Sequence, residues 1–462
     1  MNFNELGFII FALIALFLVH LPLQDVYRKT ILLLLSYYFY SFWDYRFVPL
    51  LLLMTAISYY AVMLMERTKK LLPAIVTLLL MPLILFKYTQ FILDNILNVF
   101  GTTSPNIGVV LPIGISFFTF HTISYVCDVH AGKINREKSL LNYALYIAFF
   151  PQLIAGPIVR APDFLPQMRR AWQAPQARIM ALALLRFLWG MFKKTAIADP
   201  LSYSYVDPTF DNISQISGPA IIIGILAFGL VIYIDFSAYS DMAISLSRML
   251  GYKIKENFRA PYTATSIQDF WRRWHVSLSL LIRDYVYFPL GGSNNQKSGR
   301  IVFNLMAAML LCGAWHGAAW NFIIWGGWHG IALCLARFFP FSVPLWLGWV
   351  LTQITVMSGW FLFRISDLGD LNIFLTQWQK HGLKPFDLSY PHIFLFLAYW
   401  FLIMLEQVVI RLWEANFFHR KFKLKFYHSI WTNIFLSCGV FVLIMLLVDH
   451  SHRNKAFIYF QF

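Results

Sequence analysis

The sequence predicts an all-α, polytopic membrane protein, and three observations support this class. Of its residues, 59% are hydrophobic and only 13% are charged, and the mean hydropathy is +0.61. Many apolar runs approach the roughly 20 residues that an α-helix needs to cross the hydrocarbon core of a bilayer. Basic residues lie in short loops between these runs, as cytoplasmic loops of membrane proteins do. These features exclude an ordinary soluble enzyme.

The net charge of +15 indicates contact with membrane lipids rather than with nucleic acid. Basic residues in short loops orient helices and meet anionic lipid headgroups. The four cysteines, Cys127, Cys312, Cys334 and Cys438, show no metal-ligand spacing, and most lie within or beside apolar runs. We therefore expect free thiols, with neither disulfides nor a bound metal.

The apolar runs and the loop charges predict the order of membrane crossings. The first run, residues 8–23, has neither a basic segment before it nor a small-residue cleavage site, so we expect a retained span. Further spans are predicted near residues 30–41, 47–65, 71–93, 107–126, 178–198, 220–236, 301–315, 320–338, 343–363, 392–412 and 430–448. Charge alternation places residues 199–219 in an exterior loop and the C-terminal tail, 449–462, outside the cytoplasm. No internal repeat and no second soluble domain is evident, so we predict a single domain over residues 1–462.

One apolar stretch, residues 140–158, does not read as a simple crossing because both of its flanks are basic. Pro151, Gly156 and Pro157 interrupt it, and proline breaks the helical hydrogen-bond ladder. The pattern predicts a re-entrant or broken element.

A helix is predicted to begin at Ser266, because Ser266 and Asp269 have the spacing of a capping box. From Ile267 to Tyr285, apolar residues recur at three- and four-residue steps and form one stripe. His275 falls on that stripe. The pattern therefore predicts a single helix with His275 on its buried face.

Two more histidines follow in apolar surroundings. His316 ends an apolar run 41 positions after His275, and His329 comes thirteen residues later. Histidine can take and give a proton near neutral pH, and it is costly to place among apolar groups. His275 and His316, on separate apolar elements, therefore suggest one shared site. A structural role, with each ring bonded to a backbone carbonyl, is the alternative for each of the three histidines.

Two carboxylates, Asp235 and Asp241, lie at and just beyond the end of the apolar run 220–236. An ion pair with a nearby arginine at the membrane interface would explain them, and so would a role in the site. Their position leaves both explanations open.

The segments FWRRWHVSLSLLIRDYVYFPLGG and GAWHGAAWNFIIWGGWHG resemble the membrane-bound O-acyltransferase (MBOAT) family. More narrowly, they resemble its bacterial branch, whose members O-acetylate alginate or peptidoglycan or transfer D-alanine to teichoic acids. Residues 149–168 and 235–251 also match that branch. The resemblance covers most of the chain from residue 108 onward, with a family core of about residues 107–448.

The resemblance implies a ring of tilted transmembrane helices, with re-entrant and horizontal helices, around a central tunnel. It implies that His316 is the general base on the acceptor hydroxyl, and that His275 orients the acyl donor or stabilises its oxyanion. Five positions are assigned supporting roles: His329, Trp315, Asn321, Asp235 and Asp241. The implied donor is cytoplasmic acetyl-coenzyme A, with its phosphates near Arg248, Lys253, Lys255, Arg259, Arg272 and Arg273. Contact with lipid headgroups is the alternative for these cations. No metal is implied.

The last six residues, FIYFQF, resemble the C-terminal motif of the small partner of the D-alanine transfer system, in which a tyrosine is thought to carry the acyl group. Here that residue is Tyr459, and an aromatic anchor at the membrane interface is the alternative. The resemblance also implies an extracytoplasmic SGNH/esterase-like acetyltransferase partner. The glycan acceptor is expected to be peptidoglycan, with alginate or another exopolysaccharide as the alternative. The expected location is the bacterial inner membrane.

Two other classes of function remain open at this point. A transporter of a glycan or acyl carrier would also be polytopic and would also carry intramembrane polar residues. It often shows inverted repeats, which are not evident here. A non-catalytic scaffold for an external transferase would leave the paired histidines unexplained.

Overall fold

The computed structural model describes residues 3–154, 156–294, 297–339, 343–365, 368–381 and 390–414. The chain forms two compact units. The first comprises residues 1–187 and 239–256, and the second comprises residues 188–238 and 257 onward. The predicted span at 430–448, the cysteine Cys438 and the candidate relay Tyr459 lie outside the described residues.

The described residues up to position 249 form thirteen α-helices. They are α1 Leu6–His20, α2 Asp25–Asp44, α3 Val48–Arg67, α4 Leu72–Leu83, α5 Thr89–Val99, α6 Ile115–His130, α7 Leu140–Ala148, α8 Phe150–Leu153, α9 Ala161–Arg169, α10 Ala177–Phe192, α11 Asp199–Leu201, α12 Asp207–Asp211 and α13 Gly218–Met249. Single π-helical turns follow α4, α10 and α11, at Ile84–Tyr88, Lys193–Ala198 and Ser202–Val206.

The described residues after position 249 form seven more helices. They are α14 Ile267–Arg273, α15 Val276–Ile282, α16 Ser298–His316, α17 Trp320–Phe338, α18 Leu345–Arg364, α19 Gly369–His381 and α20 Tyr390–Glu414. A further π-helical turn, Arg283–Tyr287, extends α15.

The all-α fold class is confirmed, and the described residues contain no β-strand. Five stretches among them are long and apolar enough to cross a membrane: Asp25–Arg67, Lys69–Val99, Gly218–Met249, Ser298–His316 and Leu345–Arg364. Large apolar side chains on these helices remain exposed, including Leu52 and Leu53 of α3. Exposed apolar faces of this extent are stable against lipid rather than against water. The protein is therefore a multi-pass membrane protein.

Several predicted features differ from the structure, and three of them concern the elements around the site and the loop before α13. Helix α6 begins at Ile115 rather than near residue 107, because Gly114 adopts a left-handed conformation (φ 75°) immediately before it. Helix α13 continues thirteen residues past the predicted end at 236. Within the predicted loop 199–219, residues 199–211 form short helical segments.

The broken element predicted at residues 140–158 is confirmed. Helix α7 ends at Ala148, the backbone turns at Phe149, and the four-residue α8 carries Pro151 in its first turn. Proline fits the first turn of a helix, where its missing N–H leaves no hydrogen bond unmade. Residues 143–154 are buried, so this irregular backbone lies within the protein and not against lipid.

The single helix predicted from Ser266 to Tyr285 is wrong. Its start is confirmed, because the Ser266 side chain accepts a hydrogen bond from the backbone N–H of Asp269 at 3.1 Å. The helix ends at Arg273, however, and α15 begins only at Val276. His275 stands between them with φ 40°, a left-handed conformation that few non-glycine residues adopt. Apolar periodicity continues through the break, so it could not reveal it.

Helices α16 and α17 form a hairpin whose backbones meet through glycines. A Cβ on Gly326 would lie 3.3 Å from the Cα of Gly313, so the two positions face each other. Small residues at such positions let membrane helices approach closely. This contact joins the helix that ends at His316 to the helix that carries His329.

Candidate active site

The break between α14 and α15 places His275 inside the second unit. The imidazole is fully buried and meets the Phe236 ring edge-on, with ring centroids 4.7 Å apart. Burial lowers the pKa of His275 to about 3, because the charged form would lose its hydration. The ring is therefore neutral at pH 7, so one of its nitrogens donates and the other accepts.

The side chain of Asn257 determines which nitrogen of His275 carries the proton. Its Oδ1 accepts hydrogen bonds from the Ser277 hydroxyl at 2.8 Å and from the Ser277 backbone N–H at 3.3 Å. The backbone N–H can only donate, which fixes Oδ1 on this side of the amide. Nδ1 of His275 lies 3.0 Å from the same oxygen and must therefore be the protonated nitrogen. Nε2 then carries the lone pair.

This tautomer bears on the two roles expected for His275. A neutral ring protonated at Nδ1 cannot donate a hydrogen bond from Nε2, so it cannot stabilise an oxyanion there. It can accept a hydrogen bond from an N–H or O–H group. The arrangement favours the orienting role over the oxyanion role.

His316 ends α16 and is buried among aromatic rings, with 6% of its surface exposed. Its ring centroid lies 4.8 Å from that of Trp315, 5.0 Å from that of Trp325 and 5.3 Å from that of Phe363. Trp315 also contacts His275, with ring centroids 5.9 Å apart. The two histidines, far apart in sequence, therefore contact the same indole ring.

His329 joins the same cluster from α17. Its fully buried ring lies 5.1 Å from the Trp325 centroid and 5.2 Å from the Trp271 centroid, edge-on to both. Neither ring nitrogen has a hydrogen-bond partner among the described residues. The described residues therefore do not provide the backbone hydrogen bond that the alternative, structural role of His329 requires.

Asn321 and Asp235, two of the expected supporting residues, bind groups other than the three histidines. The Asn321 amide donates to the carbonyls of Phe363 and Ile365, both at 3.0 Å, and so ties α17 to the end of α18. Asp235 pairs with Lys194 at 2.7 Å, and Lys194 also pairs with Asp199 at 2.9 Å. All three charged groups are buried, so Asp235 belongs to an ion-pair network whose cation is a lysine rather than an arginine.

The adjacent Lys193 extends this charged region. Its ammonium donates to Ser237 at 3.0 Å and pairs with Glu406 at 3.2 Å. Glu406 also accepts from the indole N–H of Trp189 at 2.9 Å. Sequence reasoning missed these lysines, although two adjacent lysines in an apolar run were a usable signal, because buried cations in membrane proteins have partners.

Asp241 lies in the first unit and forms an ion pair with an arginine, which was one of the two explanations that its position left open. Arg186 binds it at 2.6 Å and binds Glu256 at 2.5 Å. The structural explanation therefore accounts for Asp241.

The six cations expected near the donor phosphates are divided between the two units. Arg248, Lys253 and Lys255 belong to the first unit, and Lys255 pairs there with Asp163 at 2.7 Å. Arg259, Arg272 and Arg273 belong to the second, where Arg273 pairs with Asp269 at 2.9 Å. Within the described ranges, no group of three His, Cys, Asp or Glu side chains could hold a metal ion.

Buried imidazoles inside an all-helical, multi-pass protein define a class: integral membrane proteins with a candidate acid–base site within the fold. Comparison with known proteins identifies the family. Residues 30–347 match the membrane-bound O-acyltransferase family. The chain belongs to this family and is an acyltransferase.

Three relatives illustrate the similarity of this chain to known proteins. The chain is 38% identical to a probable alginate O-acetylase AlgI of Azotobacter vinelandii, over 74% of this chain and 70% of the relative. It is 36% identical to a peptidoglycan O-acetyltransferase of Helicobacter pylori, over 75% of this chain and 72% of the relative. It is 28% identical to a teichoic acid D-alanyltransferase of Bacillus subtilis, over 49% and 59%.

Proposed function

We propose that this protein is a membrane O-acetyltransferase of the bacterial inner membrane. It takes an acetyl group from cytoplasmic acetyl-coenzyme A and passes it toward a polysaccharide hydroxyl outside the cytoplasm. The observation that carries the proposal is the contact of His275 and His316, both buried, with the single ring of Trp315. This constellation supplies a proton acceptor and an orienting group within one apolar site.

Relatives support acetyl transfer over D-alanyl transfer. Relatives named as O-acetylases or O-acetyltransferases are 36–39% identical over about three quarters of the chain. Relatives named as teichoic acid D-alanyltransferases are 25–28% identical over about half of it. A transporter without chemistry would not account for the acyltransferase family.

In the proposed mechanism, His316 acts as the general base. Its imidazole takes the proton from the acceptor hydroxyl, whose oxygen attacks the carbonyl carbon of the thioester. The tetrahedral intermediate then breaks its carbon–sulfur bond, and the departing thiolate takes the proton from the imidazolium. The products are an acetyl ester and free coenzyme A, and His316 returns to its neutral form.

His275 has an orienting role in this scheme. With its proton held on Nδ1 by Asn257, its Nε2 accepts a hydrogen bond from an amide N–H of the donor's pantetheine arm. That bond would hold the thioester at a set distance from His316. The sharp turn at His275 and its burial against Phe236 fix the ring in place.

Tyr459 is proposed as the acceptor hydroxyl on the protein itself. Acetyl-Tyr459 would then pass its acetyl group to an extracytoplasmic SGNH/esterase-like partner, or directly to a glycan hydroxyl. Peptidoglycan is the proposed glycan, and alginate is the alternative that the AlgI relatives support. The C-terminal tail is proposed to lie outside the cytoplasm, where such a partner could reach it.

The central test is release of coenzyme A by the purified full-length protein in lipid nanodiscs, followed with a thiol reagent. His316→Gln should reduce release by at least about a hundredfold, the range expected for losing a general base. His130→Gln, at the end of α6 in the other unit, is the matched control and should retain activity. Equal activity of the two variants would overturn the base assignment. Release that is absent from the wild-type protein as well would favour a transporter or scaffold.

Two further measurements address the acceptor. Tyr459→Phe deletes the hydroxyl and keeps the ring. After turnover with acetyl-coenzyme A, mass analysis of the C-terminal peptide should therefore find an acetyl group in the wild-type protein and none in the variant. Persistence of activity in this variant would leave Tyr459 as an anchor. In cells, the amount of acetate that alkali releases from peptidoglycan should fall when His316→Gln replaces the wild-type protein. A fall confined to alginate would instead identify that acceptor.

A further inference from the structure

The first unit contains a basic cavity of about 470 Å³, and two of its three cations are among those expected near the donor phosphates. It lies between the segment that follows α9 and the segment that follows α13. Arg170, Arg248 and Lys253 line it, together with the indole of Trp172 and the side chain of Gln167. All of these residues belong to one unit.

The indole wall of the cavity is held in place by several contacts. Nε1 of Trp172 donates to the carbonyl of Leu250 at 2.9 Å, and the Arg28 guanidinium lies 4.1 Å over the ring. The backbone of Gly251 passes close by: a Cβ there would lie 2.5 Å from Nε1 of Trp172. Gly251 also has φ 92°, which favours glycine. The turn after α13 is therefore shaped to fit against this indole.

The position of Lys253 in the cavity wall is also set. The Gln167 side chain forms two hydrogen bonds with the Lys253 backbone, one to its carbonyl and one from its N–H, both at 2.8 Å. This pair joins α9 to the segment after α13. The cavity therefore has two walls held by hydrogen bonds, and the backbone of Lys253 is fixed in one of them.

The three cations lining the cavity have no acidic partner among the described residues, whereas nearby carboxylates are already paired. Asp25 pairs with Lys29 at 2.6 Å, and Asp163 pairs with Lys255 at 2.7 Å. The cavity thus concentrates positive charge that no carboxylate among the described residues neutralises. Such a site attracts an anion with several oxygen acceptors.

We propose that this cavity binds the phosphate group of a ligand. Arg170 and Arg248 would bind its oxygens through their guanidinium forks, Lys253 would add a point charge, and the Trp172 indole offers a flat surface beside them. Two sources carry this chemistry. One is the headgroup of an anionic phospholipid, because the cavity follows the end of α13, which is long and apolar enough to cross a membrane. The other is the nucleotide phosphate of the acyl donor, and that source alone rests on the proposed function.

The experiment measures binding to the full-length protein without any acyl substrate, so its outcome is separate from catalysis. One arm titrates adenosine 3′,5′-bisphosphate, and the other compares retention of phosphatidylglycerol with that of phosphatidylcholine by native mass spectrometry. The test variant combines Arg170→Gln, Arg248→Gln and Lys253→Gln. The control combines Arg67→Gln, Lys69→Gln and Lys70→Gln, which removes the same charge from exposed positions of the same unit.

We expect at least one probe to bind the wild-type protein and to bind the cavity variant at least tenfold more weakly, while the control variant changes less than twofold. A second measurement does not depend on how the variants fold. In the wild-type protein, the bound probe should protect Lys253, but not Lys69, from amine acetylation. Binding of neither probe, equal weakening in both variants, or equal modification of Lys253 with and without probe would overturn the proposal.

Discussion

The close approach of α16 and α17 leads to a prediction that can be checked by a pair of neighbouring substitutions. In Gly326→Ala, the new Cβ would lie 3.1 Å from the carbonyl carbon of Met309, 3.3 Å from the Cα of Gly313 and closer still to the Met309 carbonyl oxygen. These are backbone atoms, which cannot rotate away, so the two helices would have to separate. In Gly327→Ala, the nearest atom is the Cδ2 of Leu310 at 3.7 Å, an ordinary contact.

The magnitudes differ between the two substitutions for one reason. Each replaces a glycine in the interior of α17 by alanine, which favours the helix by about 1 kcal/mol. Gly326→Ala also overpacks a close interface, which typically destabilises by about 1–3 kcal/mol. The variant at 326 should therefore be less stable than the variant at 327 by about 1–3 kcal/mol, and Gly327→Ala should equal or exceed the wild type.

The assay is the fraction of full-length protein that remains monodisperse after heating in one detergent, measured for both variants and the wild type. We expect the midpoint temperature of Gly326→Ala to be the lowest of the three. Release of coenzyme A should fall with it, because His316 ends α16 and Trp325 precedes the substituted position. If Gly326→Ala resists heating as well as Gly327→Ala, the described packing of these helices is wrong.

Three further predictions follow from side-chain partners. Asn257→Leu removes the side-chain oxygen that accepts from Nδ1–H of His275, so coenzyme A release should fall about tenfold, which corresponds to about 1.4 kcal/mol. Asn257→Asp keeps an acceptor and should keep more of the activity. Equal losses in the two variants would contradict the tautomer assignment. Lys194→Met removes the cation between two buried carboxylates and should destabilise the protein by about 3–5 kcal/mol in thermal denaturation. Asp235→Asn should destabilise it less. A larger loss of stability in Asp235→Asn than in Lys194→Met would contradict the ion-pair network. Ser266→Ala removes the N-cap of α14 and should lower stability by about 1 kcal/mol in the same assay, an effect that Ser266→Asp should largely avoid.

Several features of the fold were predictable because they depend on local chemistry. The helix start at Ser266 follows from a serine that can cap its own backbone, and the break in residues 140–158 follows from prolines that cannot continue a helical ladder. The end of α7 at Ala148 was not predicted to the residue, because the apolar run continues past it through Phe149 and Phe150.

The candidate site was predictable in its members more than in its arrangement. His275 and His316 stand out as titratable groups in apolar segments, and the match to family motifs adds to that signal. The αL turn at His275 was not predictable, because the same apolar periodicity runs through both short helices. Asn257, which sets the tautomer of His275, carries no signal in sequence: it is one polar residue in an unremarkable loop.

The sequence by itself determined that this chain is a multi-pass membrane protein of the O-acyltransferase family. That follows from the length of its apolar runs, which must match the thickness of a bilayer, and from motifs read directly along the chain. Tertiary structure alone decided that Asp235 pairs with a lysine from another helix and that His275 holds its proton on Nδ1. It also decided that His275 and His316 contact one tryptophan. Partners of polar side chains depend on which distant segments pack together, and no local pattern in the chain specifies that packing.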